Sequence, residues 1–445
     1  MKKIKDILKQ CKVIEVIGDD ARLVSGLTFD SRKCSDGMAF FAIRGTQVDG
    51  HEYIAKAIEL GASIIVCERR PDVIHDGISY YVVENSAESL GYAASEFYDR
   101  PSERLHLVGV TGTNGKTTIA TLLYRLFFNA GYPCGLLSTI ENRVNNIVVP
   151  STHTTGDQLQ INEMLSRMVD AGCEYCFMEV SSIGVEQDRI AGLKFKAGIF
   201  SNLTHDHLDY HKTFAEYLRC KKLFFDNLTA DAYAITNVDD RNGMVMIQNT
   251  KAKVVTYSVR GIADHTCRIV EQSFEGMLLK IDGQEVWSGL IGQHNAYNLL
   301  ALYTTAVTLG AKAEEVLIAL SALKPAPGRL ENIRGPKDIS VIIDYAHTPD
   351  ALENVLGTLR EIAPQQELIC LFGCGGDRDK TKRPEMAQVA QKMADRIIVT
   401  SDNSRTEKTS DIMADIKAGM DISGKAKSLF IEDREQAIRT AIMIA

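Results

Sequence analysis

The stretch VGVTGTNGKTT, residues 108–118, limits this chain more than any other. Its β-branched residues suit a buried strand, its glycines allow a tight loop, and TIATLLYRLFFNAG, which follows the lysine, carries helical apolar spacing. The order strand, loop, helix points backbone N–H groups and a helix N-terminus at one spot, which is how proteins hold phosphate oxygens. In such a loop Lys116 reaches the β- and γ-phosphates and Thr117 offers a hydroxyl to Mg²⁺. The competing reading, a glycine turn with a surface lysine, does not account for the strand and helix on either side.

With 445 residues, 45% of them hydrophobic, the chain has the size of about three domains. A net charge of −8 without basic blocks argues against nucleic acid or an anionic membrane as partner, so small-molecule substrates are expected. No apolar run approaches the roughly 18 residues that span a bilayer, and MKKIKDILKQ lacks the apolar core of a signal peptide, so the cytoplasm is expected. The ten cysteines sit mostly in apolar runs and are expected as reduced thiols. Cys173 and Cys176 form the one C-x-x-C, with no second pair at zinc spacing, and read as small core residues.

Residues 1–98 alternate short strands with helices, giving a small α/β unit that ends at the break YDRPSERLH. Residues 99–328 hold the phosphate loop, strands at YCFMEV, KAGIFSNL and AYAITN, and a helix opened at Asn295. After the Pro- and Gly-rich LKPAPGRLENIRG, residues 329–445 give four βα-like units, which predict a parallel sheet with its functional loops at the carboxyl ends of the strands. The chain stops inside a helix, and a βα pattern predicts a further strand, so a missing C-terminal piece is expected.

Glu179 ends the apolar strand FMEV, where a carboxylate is costly to bury unless it meets a cation, with Mg²⁺ the natural choice. NLTHDHLDYH gathers His205, Asp206, His207, Asp209, Tyr210 and His211, either a hydrogen-bonded loop or a metal site. In EYLRCKKLFF, Lys221 and Lys222 read by chemistry alone as a solvated helix face. Asp344 ends the strand VIID and suits a ribose hydroxyl. GCGGDRDKTKRP supplies Arg378 and Arg383, and SDNSRT supplies Asp402, Asn403 and Arg405. Guanidinium groups bind carboxylates bidentately, so two such loops suggest an amino-acid-like ligand, against the plainer reading of solvated loop charges.

Together these motifs resemble the Mur ligases of peptidoglycan synthesis, and within them the branch that adds the third residue of the stem peptide. The resemblance runs the length of the chain: FDSR and GTQVDGHEYI, then GTNGKTT, STHTTGD, MEVSS, NLTHDHLDYH and GQHNAYN, then PGRLE, DYAHTPDALE, GCGGDRDKTKRP and DNSRTE. It implies a three-domain α/β architecture: a small N-terminal unit for a uridine nucleotide, a central P-loop ATPase-like unit and a C-terminal Rossmann-like unit for the amino acid.

By position, the resemblance implies that Phe29, Ser31, Thr46, Gln47 and Val48 hold the uridine nucleotide, and Thr154, Thr155, Ser181, Gln187 and Arg189 the muramoyl-dipeptide. Gly112, Thr113, Asn114, Gly115, Lys116, Thr117 and Thr118 would cradle ATP, with Asn295, Arg329 and Asp344 completing the nucleotide site. Thr117, Glu179 and His207 would serve Mg²⁺, joined by Lys221 carrying CO₂ as a carbamate, which turns a cation into an anionic oxygen ligand. Lys222 would remain a surface residue. Arg378, Asp402, Asn403, Ser404 and Arg405 match the amino-acid pocket. The implied reaction activates the D-glutamyl carboxylate of UDP-N-acetylmuramoyl-L-Ala-D-Glu as an acyl phosphate, with Lys116, Arg329 and Mg²⁺ offsetting charge, and an incoming amine displaces phosphate. A monomer is expected.

Departures from the family pattern are Ile183 where a histidine usually follows the paired serines, and Ser404 where proline usually precedes the arginine. Arg405 is retained and would read a distal carboxylate, which favours meso-diaminopimelate over L-lysine. A folylpolyglutamate synthase is disfavoured by the FDSR unit. A binding-only member without turnover is disfavoured by Lys116, Glu179, His207 and Lys221.

Overall fold

Apolar runs such as Met38–Phe41 and Ile64–Cys67 are too continuous for a sheet with one wet face, and they form strands covered on both sides. The computed structural model describes residues 2–45, 48–204, 208–325, 328–335 and 339–445, and the side chains of 208 and 209 are not described. The first sheet runs in the order Val13–Ile17, Ser79–Val83, Ile64–Cys67, Met38–Phe41, Gly26–Thr28, parallel except for its first strand. Successive residues go to opposite sides: Phe41, Ile64 and Tyr81 pack with Leu90 and Ala94, while Phe40, Ile65 and Tyr80 pack with Ile54 and Ala57.

The second sheet is built around the strand His106–Thr111, with Tyr175–Glu179 parallel on one side and Ala197–Phe200 parallel on the other. From His106–Thr111 the chain passes through the helix Lys116–Asn129 to Cys134–Leu137, returns to Tyr175–Glu179, and then crosses to the opposite flank. That reversal opens a crevice at the carboxyl end of His106–Thr111. Val108 and Val110 pack on one face with Ile119, Leu122 and Leu299; Leu107, Met178 and Phe200 pack on the other with Leu165 and Phe224. Cys173 and Cys176 are free thiols buried in the second of these cores, as core residues should be.

Beyond Tyr233–Asn237 the sheet gains Lys253–Ser258, His265–Ser273, Gly276–Ile281 and Gln284–Ser288, the last two antiparallel to their predecessors. These four strands are not expected from sequence. The helix expected at Asn295 spans Gln293–Thr308.

In the last unit Ile369–Phe372, Arg396–Val399 and Ser428–Phe430 form a parallel sheet. Of the four units expected there, the first departs: Ser340–Ile343 pairs antiparallel with Glu331–Arg334 instead. The preceding segment thus supplies its ladder partner, and Ile343 stays exposed. The following helix, Pro349–Ile362, still packs Leu352 and Leu356 on the parallel sheet beside Cys370, Phe372 and Met386.

The units are tied at specific points. Gly91 lies so close to the next unit that a Cβ there would sit 2.6 Å from the Ala191 carbonyl oxygen. Asn85 donates to Asp188 (2.8 Å) and Gln158 donates to the Ala87 carbonyl (3.2 Å). Within the central unit, Arg125 on the helix Lys116–Asn129 donates to the carbonyls of Lys324 and Pro325, each at 3.1 Å. No helix among the described residues is long and apolar enough to cross a membrane.

Candidate functional site

The glycines of the loop are required by its shape. Gly112 has φ 150°, and a Cβ there would lie 1.9 Å from the Ser201 hydroxyl; Gly115 has φ 88°, and a Cβ there would lie 2.6 Å from Asn298 Oδ1. Gly115 caps the helix Lys116–Asn129 without a side-chain acceptor, and the positive end of the helix dipole faces the loop, a setting that suits a phosphate. Ser201 and Asn202 brace the loop, with Ser201 Oγ donating to the Asn114 carbonyl (2.6 Å) and Asn202 Oδ1 accepting from the Asn114 N–H (2.9 Å). Lys116 Nζ lies on the loop itself, donating to the carbonyls of Gly112 and Thr113, each at 2.8 Å. Thr118 is buried in the first turn. Behind Gly115, Asn298 Nδ2 donates to Asn295 Oδ1 at 3.0 Å.

Glu179 is 0% exposed. One carboxylate oxygen accepts from the Thr139 N–H (2.7 Å) and the other from the Thr117 hydroxyl (3.0 Å). Both donors are neutral, and a buried carboxyl group beside a hydroxyl supplies the hard oxygen atoms that suit a divalent cation such as Mg²⁺. Thr117 also accepts from Arg329 Nη2 at 3.3 Å, and the guanidinium lies 4.8 Å from the Tyr345 ring centroid. Asp344 accepts from the Leu330 N–H (2.8 Å), and burial pushes its carboxyl up, opposed by that N–H and by Arg329.

Lys221 is 1% exposed, which overturns the reading of a solvated helix face. The helix Phe214–Asp226 turns Tyr217, Cys220, Phe224 and Phe225 inward, and Lys221 falls on the same stripe. Its Nζ donates to the Gly112 carbonyl at 2.8 Å and lies 4.8 Å from the Tyr217 ring centroid. The Tyr217 hydroxyl is 3.1 Å from Thr113 Oγ1. Lys222 pairs with Asp226 at 2.5 Å.

From Glu179 a polar row leads outward. Thr155 Oγ1 donates to the Glu179 carbonyl and accepts from the Ser181 N–H, both at 3.0 Å. Arg189 donates to the Thr155 carbonyl (2.7 Å) and to Gln187 Oε1 (2.7 Å), Gln187 donates to the Tyr210 hydroxyl (2.9 Å), and Thr139 donates to Thr154 (3.1 Å). His211 Nε2 is 2.9 Å from the Ser182 hydroxyl, beside Ile183. In the first unit Phe29 and Val48 are exposed and Ser31 is buried. Thr46, Gln47, His205, Asp206, His207 and Pro327 lie outside the described residues, among which no group of three or more His, Cys, Asp or Glu is placed to hold a metal.

In the last unit the two strand-end loops interlock. The Gly376 N–H donates to the Asn403 carbonyl (2.9 Å), Thr406 Oγ1 donates to Asp377 (2.7 Å), and Arg405 Nη1 donates to the Gly376 carbonyl. Arg378, Asp402 and Asn403 are exposed, and Ser404 Oγ lies 2.6 Å from the Thr409 hydroxyl. Arg383 does not join Arg378 as a ligand-facing group: it is 1% exposed and bound to Glu407 and Asp415.

Sequence reading missed Asp350, in the first turn of Pro349–Ile362, whose carboxylate accepts from Asn114 Nδ2 (3.0 Å) and the Thr204 hydroxyl (3.3 Å). It also missed Thr139 and Tyr217. An acid just after a helix-starting proline is a signal only in retrospect.

A glycine loop backed by a buried carboxylate, with an arginine arriving from the following unit, defines a phosphoryl-transferring enzyme assembled across a domain boundary. The chain belongs to the Mur ligase family: residues 23–98 match its catalytic domain, 110–306 its middle domain and 328–445 its glutamate ligase domain. The UDP-N-acetylmuramoyl-L-alanyl-D-glutamate–2,6-diaminopimelate ligase of Phocaeicola vulgatus is 52% identical over 444 residues, covering 100% of this chain and 92% of that protein. The ligase of the same name from Bacteroides fragilis is 50% identical with the same coverage. A solved structure of such a ligase superposes with a TM-score of 0.72 at 32% identity, covering 100% of this chain and 91% of that one.

Proposed function

We propose that this chain is an ATP-dependent ligase that joins an amine of meso-diaminopimelate to the D-glutamyl carboxylate of UDP-N-acetylmuramoyl-L-Ala-D-Glu in peptidoglycan synthesis. The observation that carries the reading is the linked row Arg329, Thr117, Glu179, which joins a cation, a hydroxyl and a buried carboxylate at the phosphate loop. Whole-chain similarity to ligases named for this acceptor and 2,6-diaminopimelate supports the substrate pair.

In this reading Gly112, Thr113, Asn114, Gly115, Lys116, Thr117 and Thr118 hold the triphosphate of ATP, with Asn295, Arg329 and Asp344 around the nucleoside. Lys116 and Arg329 offset charge as the γ-phosphoryl group passes to a glutamyl carboxylate oxygen and ADP leaves. The amine then attacks the acyl carbon, a tetrahedral intermediate forms, a proton is lost from nitrogen, and inorganic phosphate departs with the shared oxygen. Thr117, Glu179 and His207 would hold Mg²⁺, which when bound supplies electrostatic stabilisation of the phosphate oxygens. Lys221 would carry a CO₂-derived carbamate as an added oxygen donor. Phe29, Ser31, Thr46, Gln47 and Val48 would take the uridine end, and Thr154, Thr155, Ser181, Gln187 and Arg189 the muramoyl-dipeptide. Arg378, Asp402, Asn403, Ser404 and Arg405 would take the diamino acid, Arg405 reading its distal carboxylate.

The division into residues 1–98, 99–328 and 329–445 follows these three tasks, carried out by a cytoplasmic monomer. The test is ADP release with ATP, Mg²⁺ and the nucleotide dipeptide, adding meso-diaminopimelate, L-lysine or no amine. Turnover with diaminopimelate alone is expected. Turnover with lysine would replace the assigned amine, and silence with every amine would favour a binding-only protein.

A further inference from the structure

Arg383 is the largest fully buried side chain among the described residues, and it is a cation. It lies on the helix Lys382–Met393 and is spent on two loops at once. Nη1 donates to Glu407 Oε2 (3.1 Å) and Asp415 Oδ2 (2.8 Å); Nη2 donates to Glu407 Oε1 (2.8 Å) and the Gly375 carbonyl (3.3 Å). Glu407 also accepts from the Asp377 N–H (2.6 Å) and pairs with Lys380 (3.0 Å). Asp377 immediately precedes Arg378, and Glu407 stands two residues after Arg405.

Asp377 (φ 51°) and Arg405 (φ 49°) both adopt left-handed backbone, a conformation that persists only where surrounding contacts enforce it. A buried ion pair gives up in desolvation much of what it gains in attraction, so stability alone is a weak reason for it, whereas a forked guanidinium fixes geometry at several points.

We propose that the Arg383–Glu407 pair is a positioning device that sets the spacing of Arg378 and Arg405, and so the affinity for a dicarboxylic diamino acid. The proposal rests on the reading of these two loops as the amino-acid pocket. Arg383 touches no substrate in this scheme; it acts through the loop backbone at Gly375 and, by way of Glu407, at Asp377.

The test uses the full chain carrying Arg383→Lys, Glu407→Gln or Arg378→Ala, with steady-state ADP release measured against each substrate in turn and thermal unfolding alongside. Lysine cannot reproduce the fork, and glutamine loses the charge. Both clamp variants are expected to raise KM for meso-diaminopimelate about tenfold or more, leaving KM for ATP and for the nucleotide dipeptide within about twofold. An unchanged diaminopimelate KM in a folded clamp variant, or a parallel rise in all three KM values, would overturn the proposal. If Arg383→Lys does not fold, Glu407→Gln decides, since its side chain is 15% exposed and easier to alter. Arg378→Ala separates the two readings. A raised KM there with unchanged clamp variants removes the positioning role alone, and an unchanged KM in Arg378→Ala removes the pocket and the proposal with it.

Discussion

The Arg329 guanidinium donates to the Thr117 hydroxyl over 3.3 Å, although 212 positions separate the two residues in the chain. The last unit thereby places a cation on the hydroxyl that also donates to Glu179. Arg329→Ala is expected to lower turnover on the order of 10²-fold or more while changing stability by less than about 1 kcal/mol. ADP release and a thermal melt on the same preparation check it; normal turnover would remove Arg329 from the chemistry.

Lys221 sits against the Gly112 carbonyl in a site with 1% exposure. Lys221→Ala is expected to cut turnover on the order of 10²-fold, and wild-type protein equilibrated with ¹³C-bicarbonate should show a carbamyl carbon resonance that the variant lacks. Unchanged turnover in a folded variant would end the assignment.

Gly112→Ala puts a Cβ 1.9 Å from Ser201 Oγ at φ 150° and is expected to destabilise the protein by about 2 kcal/mol or more and abolish nucleotide binding. Gly131, with φ 93° and no atom within 4 Å of the point a Cβ would occupy, provides the contrast. Gly131→Ala is expected to cost about 1 kcal/mol and leave nucleotide binding intact, read by calorimetric titration.

Burial pushes His294 down from 6.5 to about 4. As pH falls, the unfolded chain takes up the proton first, so this group adds no stability change above pH 6.5 and removes stability progressively between 6.5 and 4. Denaturant titrations at pH 7 and pH 5 should show wild type losing more stability than His294→Gln; equal losses would place the acid sensitivity elsewhere.

What can be read in the sequence is local. The phosphate loop is written in consecutive residues because its left-handed glycines and helix start are backbone demands, and Glu179 announces itself as a carboxylate ending an apolar strand. The hairpin closed by Asp282 (φ 46°) and Gly283 (φ 87°) carries an Asp-Gly turn signal that is easily overlooked because the flanking strands are short and half polar. Lys221 is ambiguous because two adjacent lysines straddle the edge of an apolar stripe, and only packing decides which turns inward. Asp350 and Arg383 depend on partners 236 and 24 positions away, which no local pattern encodes.

Arg125 grips the carbonyls of Lys324 and Pro325, which ties the end of the central unit to the helix that follows the phosphate loop. Arg329 follows Pro325 by only four positions, a separation of at most about 14 Å whatever path the chain takes. A group held within that radius has an effective concentration on the order of 0.1 M, far above that of a free partner in dilute solution. The contact of Arg329 with Thr117 is therefore an encounter within one molecule, kept short by the chain itself.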